Sequence, residues 1–479
     1  MSDDLAFSSI VELGGLLRRR KTSATELATY FLDRLERLGP AYGAVITVTG
    51  DRALAEAAQA DREIHRGRWR GPLHGIPYGV KDLLNAAGYP TTWGATPYRD
   101  QCADADATVV ARLGAAGAVL CAKLAMVELA GGMGYNQANA SFTGPGKTPW
   151  NPEYWSGGSS SGPGAAVAAG LVPFAIGSET SGSILTPAAY CGVTGLRPTY
   201  GLVSRHGAMA LSWTMDKLGP LGRSAQDCAL VLAAIAGKDP LDPSSVARGF
   251  RSPPAVTRGR HRRRLKVGVL DCADESIHAQ VAANFRAALD TLGDVIEVVD
   301  GVELPDFPYG VIGGTIIAAE GSSAFDDLVQ GGRISELTAP EDRTGGYPAL
   351  AIPARDYLRA LRVRRPLQRA FDDFIKQFDL LATPTRNTVA SALDKPFRDA
   401  WPGVTGGANI IGPSNVVGVP AISVPNGFGL QDLPTGLCFT TRAFDEAKLV
   451  TLARLYQART DWHRRRPPVA TPPPALLPR

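Results

Sequence analysis

Hydrophobic residues recur with helical spacing near the start of the chain and predict two amphipathic helices. The segments SSIVELGGLLRRR and SATELATYFLDRLERL each place their apolar side chains on one face. Ser9 stands three positions before Glu12, and Ser23 three before Glu26, a spacing typical of a capping box. Both helices are therefore expected to begin at these serines.

Farther along, helical patterns alternate with short apolar runs that indicate buried strands. Residues 107–126 predict a helix, a turn and a strand, and residues 163–177 and 281–299 each predict a helix followed by a strand. Another apolar run, NVVGVPAISVPNGF, predicts a further buried strand. This alternation, without an internal repeat, predicts the α/β class.

Two segments break the alternation. Residues 334–349 are polar and contain Gly and Pro, so we expect a long loop of the kind that serves as a lid. Residues 354–385 predict a long helix that is kinked at Pro366 and runs into a strand.

Composition and charge exclude several classes of protein. The 479 residues are 44% hydrophobic and 20% charged, which is ordinary for a globular protein. A net charge of +4 is small for this length and does not favour binding to nucleic acid or membrane. The basic run 258–264 has no aromatic residue within it and is expected to be a solvated loop.

Cysteine usage and the first residues indicate a reducing compartment. The six cysteines form no C-x-x-C pair, which argues against a zinc site or a disulfide framework. The start, MSDDLAFSSI, is acidic and has no pattern of a signal peptide. We therefore expect a cytoplasmic protein without a zinc site.

The chain is expected to form a single domain over residues 1–465, followed by a Pro-rich tail, 466–479. Within that domain, residues 1–65 are mainly helical, residues 66–235 form the core that holds the candidate chemistry, and residues 264–460 form a C-terminal α/β part.

A stretch of small residues, 155–198, holds the candidate chemistry. A Walker loop is excluded because no Lys follows its glycines in the required position. The letters GSSSG match the nucleophile elbow G-x-S-x-G, with Ser160 as nucleophile. However, the preceding TPWNPEYWSG is a poor strand, and no histidine stands in a distinctive context.

A serine–lysine mechanism accounts for more of the pattern. Two serine clusters, GGSSSG and SETSGS, follow a lone lysine, Lys81, that lies between apolar residues in YGVKDLL. Serine needs a base to become a nucleophile, and burial lowers the pKa of a lysine enough for it to be neutral. Glycines allow backbone N–H groups to face a substrate oxygen.

Five segments, in order, resemble the amidase signature family. They are GIPYGVKDLL, AKLAMVELAGG, the stretch 155–198, DKLGPLGRSAQD and GVPAISVPNG, and together they span roughly residues 70 to 430. The resemblance implies one large twisted mixed sheet covered by helices, and hydrolysis through an acyl-enzyme without a cofactor. It implies that Ser183 is the nucleophile, Ser159 the bridging serine after a cis peptide and Lys81 the base, with an oxyanion hole of backbone N–H groups from Thr180, Ser181, Gly182 and Ser183.

Departures from the family pattern surround these residues and bear on the substrate. Glu179 replaces Asp, Ser161 and Ser181 replace Gly, and Leu185 replaces Arg. With no cation at Leu185 and only Ala130, Gly131 and Gly132 in the substrate-side segment, we expect a roomy pocket for small neutral aryl or alkyl amides, with carbamates and esters as further substrates.

Two alternatives compete with this stand-alone hydrolase acting on a small molecule as a monomer or homodimer. The first is the glutaminase (A) component of a glutamyl-tRNA amidotransferase, although its glutamine-binding segments have no counterpart between Ala319 and Pro413. The second is an inactive binding protein on the same scaffold, which the intact Lys81, Ser159 and Ser183 disfavour.

Overall fold

A mixed β-sheet runs through the molecule, with helices packed against it, and this confirms the predicted α/β class. The structure, a computed structural model, describes residues 3–254, 263–270, 276–404 and 409–468. Its strands are β1 Val45–Val48, β2 Pro77–Lys81, β3 Val119–Leu124, β4 Phe174–Glu179, β5 Thr194–Arg197, β6 Lys217–Gly222, β7 Leu265–Leu270, β8 Ile296–Val302, β9 Leu380–Pro384, β10 Ala421–Phe428 and β11 Pro434–Thr440.

The helices follow the order that the hydrophobic pattern predicts. Those predicted from Ser9 and Ser23 begin there, and both capping boxes are formed. The helices are α1 Ile10–Arg18, α2 Ala24–Tyr42, α3 Gly50–His65, α4 Thr108–Ala115, α5 Ser161–Ala168, α6 Leu185–Cys191, α7 Ala225–Ile235, α8 Ala279–Thr291, α9 Tyr309–Ala324, α10 Asp326–Gln330, α11 Asp342–Gly345, α12 Tyr347–Leu350, α13 Ala354–Ile375, α14 Ile411–Val417 and α15 Glu446–Gln457.

Sheet topology determines where the candidate chemistry lies. The strand order is β1-β3-β2-β4-β6-β5-β10-β11-β9-β7-β8. Strands β2 and β4 are parallel neighbours, with Gly79 opposite Ala175 and Val80 opposite Ile176. Their carboxyl ends therefore meet at one edge of the sheet. Since β2 ends at Lys81, the loop that follows β4 starts beside this lysine.

Small residues allow α5 to be fully enclosed. All eight of its residues are buried, so its sequence shows almost no amphipathic pattern. A Cβ atom at Gly162 would collide with the backbone of Ala44 and Ala125. The Gly- and Ser-rich composition is therefore a packing requirement as well as a chemical one.

One expectation for the C-terminal part differs from the structure. Residues 334–349 do not form one long loop, because a 3₁₀ turn and helices α11 and α12 occupy most of the segment. The buried carboxylate of Glu128 accepts hydrogen bonds from the N–H groups of Thr338 and Ala339, at 2.8 and 3.0 Å, and holds this segment to the body. Helix α13 continues through Pro366.

Other expectations concern residues that are only partly described. Most of the basic run 258–264 and most of the tail 466–479 lie outside the described residues. None of the helices in the described part of the chain is both long and apolar enough to span a bilayer.

Candidate active site

Lys81 is buried at the end of β2, where its ammonium group meets two serines. Its side chain is fully enclosed, and Nζ donates to Ser159 Oγ at 2.6 Å and to Ser178 Oγ at 2.9 Å. Burial lowers the pKa of Lys81 to about 7, against the opposing effects of Asp216 and Glu179. A large fraction of Lys81 is therefore neutral near pH 7 and can accept a proton.

Ser159 connects the lysine to the Gly- and Ser-rich segment. It is fully buried, follows a cis peptide bond after Gly158, and its carbonyl accepts a hydrogen bond from Val127 N at 3.1 Å. Two hydrogen bonds fix the position of Ser159: its carbonyl accepts from the N–H of Val127, and its hydroxyl oxygen accepts from the amine of Lys81.

Ser183 lies on the loop between β4 and α6, next to this pair. Its residue is 8% exposed, in contrast to the fully buried Ser159, so it reaches solvent or a ligand. The Ser183 carbonyl accepts a hydrogen bond from Ser160 N at 3.3 Å, which joins its loop to the residue directly after Ser159. The structure thus brings the three predicted residues, Lys81, Ser159 and Ser183, into one place.

Ser178 was not singled out from the sequence, although it contacts the same lysine. It is the first serine of SETSGS and the fifth residue of β4. The pairing of β4 with β2, which brings Ser178 next to Lys81, was the signal that could have identified it. By accepting a second hydrogen bond from Nζ, Ser178 orients the amine toward Ser159.

The burial and hydrogen bonds of Ser160 do not fit the role of a nucleophile. Its side chain is fully buried, and Oγ donates to the carbonyl of Ser178 at 3.1 Å while accepting from the N–H of Ser178 at 3.3 Å. The segment that precedes it does not form the strand that a nucleophile elbow requires.

The loop predicted as an oxyanion hole presents unpaired backbone donors. Among the described residues, no acceptor is hydrogen-bonded to the N–H groups of Ser181, Gly182 or Ser183. Gly182 has a φ of +100°, which favours glycine, whereas Ser181 has no positive φ. Thr180 is held by a 2.6 Å hydrogen bond from its Oγ1 to Asp216. These donors are the groups that a developing oxyanion needs.

Glu179 anchors the loop and the start of α6. Its Oε2 accepts from the N–H groups of Ile184 and Leu185 at 2.8 and 3.0 Å. Its Oε1 pairs with Arg197 at 2.8 Å and accepts from Asn415 at 2.7 Å. Burial raises the pKa of Glu179, but Arg197, Asn415 and Lys217 outweigh this and the net shift is downward. The Asp-to-Glu departure is thus accommodated by a fully paired carboxylate.

We expect Glu179→Ala to lower the free energy of unfolding by about 3–5 kcal/mol, because it leaves Arg197 buried without its partner. Urea denaturation of both proteins measures this change. Glu336→Ala is the matched control, since its ion pair with Arg333 is exposed, and it should cost less than about 1 kcal/mol. Equal losses in the two variants would contradict the anchoring role of Glu179.

The residues predicted to shape the substrate pocket do not line one common pocket. Leu185 is fully buried in a core cluster with Ile410 and Ile411, so its side chain does not line the cleft. Ala130 lines a cavity of about 180 Å³ that also touches Ser178 and Thr180. The space beside Gly131 and Gly132 is already filled, by Tyr135 in the first case and by Leu211 and Phe325 in the second.

A larger cleft, of about 570 Å³, opens at the oxyanion loop. It reaches Gly158 and Ser181 at one end. Aromatic rings line much of it, and Trp155 stacks on Phe397 with 4.3 Å between ring centroids. This cleft, rather than the small residues 130–132, offers the room for a substrate.

The cleft also contains a cation that the sequence analysis missed, Arg386. The absence of an arginine at position 185 predicted a pocket without a cation, but Arg386 is exposed on the wall of the same cleft. Its position in the sequence, two residues after the end of the buried strand β9 in LLATPTRN, was the available signal.

Within the described parts of the chain, no cluster of three or more His, Cys, Asp or Glu side chains has the arrangement of a metal site. The chemistry available there is that of serine hydroxyls, an amine and backbone N–H groups.

Known proteins share this arrangement of motifs over nearly the whole chain. The family model described as Amidase matches residues 26–450. The A component of the glutamyl-tRNA(Gln) amidotransferase of Moorella thermoacetica is 39% identical over 492 residues, which cover 97% of this chain and 99% of that protein. This curated relative favours the amidotransferase alternative over the stand-alone hydrolase.

Comparison with solved structures shows that the similarity to known proteins includes the fold. The peptide amidase from Stenotrophomonas maltophilia has a TM-score of 0.83 at 31% identity and covers 97% of this chain and 98% of its own. A structure described as a vestigial protein complex that reveals the origins of an s-triazine catabolic enzyme has a TM-score of 0.85 at 31% identity, over 94% and 98% of the two chains. The chain therefore belongs to the amidase signature family of enzymes, which act on carbon–nitrogen bonds.

Proposed function

We propose that this protein hydrolyses an amide through an acyl-enzyme on Ser183. The observation that carries the proposal is the buried hydrogen bond between Lys81 Nζ and Ser159 Oγ. Neutral Lys81 accepts a proton from Ser159 as Ser159 takes the proton of Ser183, whose Oγ attacks the amide carbonyl. The C–N bond then breaks, and the same proton returns through Ser159 to the leaving nitrogen.

Water completes the cycle. One of its protons passes through Ser159 to Lys81 while its oxygen attacks the acyl carbon. The bond between the acyl carbon and Ser183 Oγ then breaks, the proton returns through Ser159 to that oxygen, and the acid leaves. During both attacks the unpaired N–H groups of Ser181, Gly182 and Ser183 stabilise the oxyanion, and each such donor contributes about 3 kcal/mol in comparable sites.

The cleft supports a stand-alone amidase as the first candidate. A volume of about 570 Å³ admits a small molecule, and its rings favour an acyl group with an apolar body. Likeness to a peptide amidase over nearly the full length of both chains supports this candidate as well. Carbamates and esters, which share the same carbonyl chemistry, are further substrates under this proposal.

The second candidate is the A component of a glutamyl-tRNA(Gln) amidotransferase, and the curated relatives favour it more than the first. Under this candidate glutamine is the amide, and the protein functions together with other chains rather than as a monomer or homodimer. The same Ser183 chemistry would then release ammonia for transfer.

Steady-state kinetics on a set of anilides and on glutamine would separate the two candidates. For a stand-alone amidase we expect at least one anilide to exceed glutamine in kcat/KM by about tenfold or more, a difference of ~1.4 kcal/mol in transition-state binding. A Ser183→Ala variant supplies the background rate. Preferred cleavage of glutamine would support the second candidate, and no cleavage of any amide above that background would contradict the stand-alone amidase.

A further inference from the structure

Arg386 is placed where it can contact a substrate that is bound at Ser183. It follows the carboxyl end of β9, is exposed, and lines the cleft that reaches Gly158 and Ser181. Gly158 directly precedes the bridging Ser159, and Ser181 belongs to the oxyanion loop. A molecule that extends from this loop along the cleft therefore passes the guanidinium group.

The charge of Arg386 has no carboxylate partner within the described residues. No ion pair joins it to an Asp or Glu, and its neighbours are the phenols of Tyr190 and Tyr135. By contrast, Arg398, which lines the same cleft, lies 3.4 Å from the carboxylate of Asp399. A cleft guanidinium that has no carboxylate partner among the described residues can bind an anion, and its planar fork suits a carboxylate.

The described residues of this cleft provide no carboxylate that could bind a cation. In the described part of the chain, its lining contains two arginines and no acidic residue. A substrate ammonium would lose water without gaining a charged partner, which is unfavourable. The lining therefore separates a simple anion from a zwitterion such as an amino acid.

We propose that the substrate is an amide whose acyl part carries one carboxylate and no ammonium, that is, a half-amide of a dicarboxylic acid, with the carboxylate bound by Arg386. This inference rests on the proposed hydrolysis at Ser183. The aromatic walls contact the apolar body between the two ends, and Arg386 determines the distance of the carboxylate from the scissile bond.

Three matched amides test the proposal. Glutaramate carries a carboxylate, pentanamide has a methyl group in its place, and glutamine is glutaramate with an added α-ammonium. We expect kcat/KM for glutaramate to exceed that for each of the others by about 10- to 100-fold, as for a charge-assisted hydrogen bond. Arg386→Met should reduce the ratio of glutaramate to pentanamide toward one, and Arg386→Lys should restore part of it. Arg365→Met, at an exposed arginine of α13 outside this cleft, should leave the ratio unchanged.

The outcomes distinguish this inference from the proposed function. Equal rates on glutaramate and pentanamide, or a ratio that Arg386→Met does not change, would overturn the role of Arg386 while hydrolysis at Ser183 stands. A preference for glutamine over glutaramate would show that an ammonium is recognised, and would also overturn the inference. No hydrolysis of any of the three, together with the absence of a covalent adduct on Ser183, would instead refute the proposed function.

Discussion

Treatment with a fluorophosphonate is expected to label one residue, Ser183, and to abolish activity as the label accumulates. The reagent reacts with a serine whose proton is removed by a neighbouring base, and Ser183 lies beside the buried Lys81–Ser159 pair with free N–H groups around it. Mass spectrometry of the digested protein locates the adduct. Ser183→Ala should prevent labelling and lower kcat by about 10⁶-fold, the scale seen when a serine nucleophile is removed.

Ser160→Ala is the matched control for this experiment. Ser160 is a neighbouring serine of the same segment, but its hydroxyl is held by the backbone of Ser178 and has no base as partner. The variant should keep the label on Ser183. An adduct on Ser160 in the unmodified protein would support the nucleophile elbow and exclude the serine–lysine assignment.

The rate is expected to rise with pH through about 7 and to remain high on the alkaline side. Burial disfavours the charged form of Lys81 and lowers its pKa to about 7, so the neutral base is lost as the pH falls below that value. Below the pKa, kcat/KM should decrease about tenfold for each pH unit. A profile of kcat/KM on one amide between pH 5 and pH 10, roughly the window in which His and Lys titrate, measures this limb.

Replacing the base tests the same assignment independently. Lys81→Ala should lower kcat/KM by about 10²–10⁴-fold, the usual contribution of a general base, and should remove the limb near neutral pH. Added methylamine, a small amine that fits the space vacated by the lysine head group, should restore part of the rate in this variant. The alternative base is His206, which lines the cavity of about 180 Å³ together with Ser178 and Thr180. If the limb persisted in Lys81→Ala but disappeared in His206→Ala, the base would be the histidine and the assignment to Lys81 would be wrong.

The proposed catalytic residues could be selected from the sequence because each stands inside a local motif. Lys81, Ser159 and Ser183 occur in segments whose order and spacing match those of a known family, and the sheet then places the ends of β2 and β4 side by side. Ser178 was missed for a related reason: it becomes a partner of Lys81 only when these two strands are paired.

The substrate site was harder to predict because its wall is assembled from distant segments. Trp155 and Arg386 are 231 positions apart in the chain (386 − 155), yet both line one cleft. Leu185, although only two residues after Ser183, is buried in a core cluster, and the other residues of α6 are buried as well. Proximity in sequence to the nucleophile therefore did not indicate proximity to the substrate.

The sequence by itself determined the α/β class, the capped helices at the start of the chain, the family and the motifs that carry the proposed serine–lysine chemistry. These depend on local periodicity, on side chains that cap their own helix and on short motifs, all of which are encoded within a few residues. Only the tertiary structure decided that Tyr135 fills the space beside Gly131 and that Ser178 as well as Ser159 contacts Lys81. It also decided that Arg386 lies in the cleft without a carboxylate partner among the described residues. Those properties depend on burial and on contacts between remote strands, and a residue's burial is a consequence of the whole fold rather than of its neighbours in the chain.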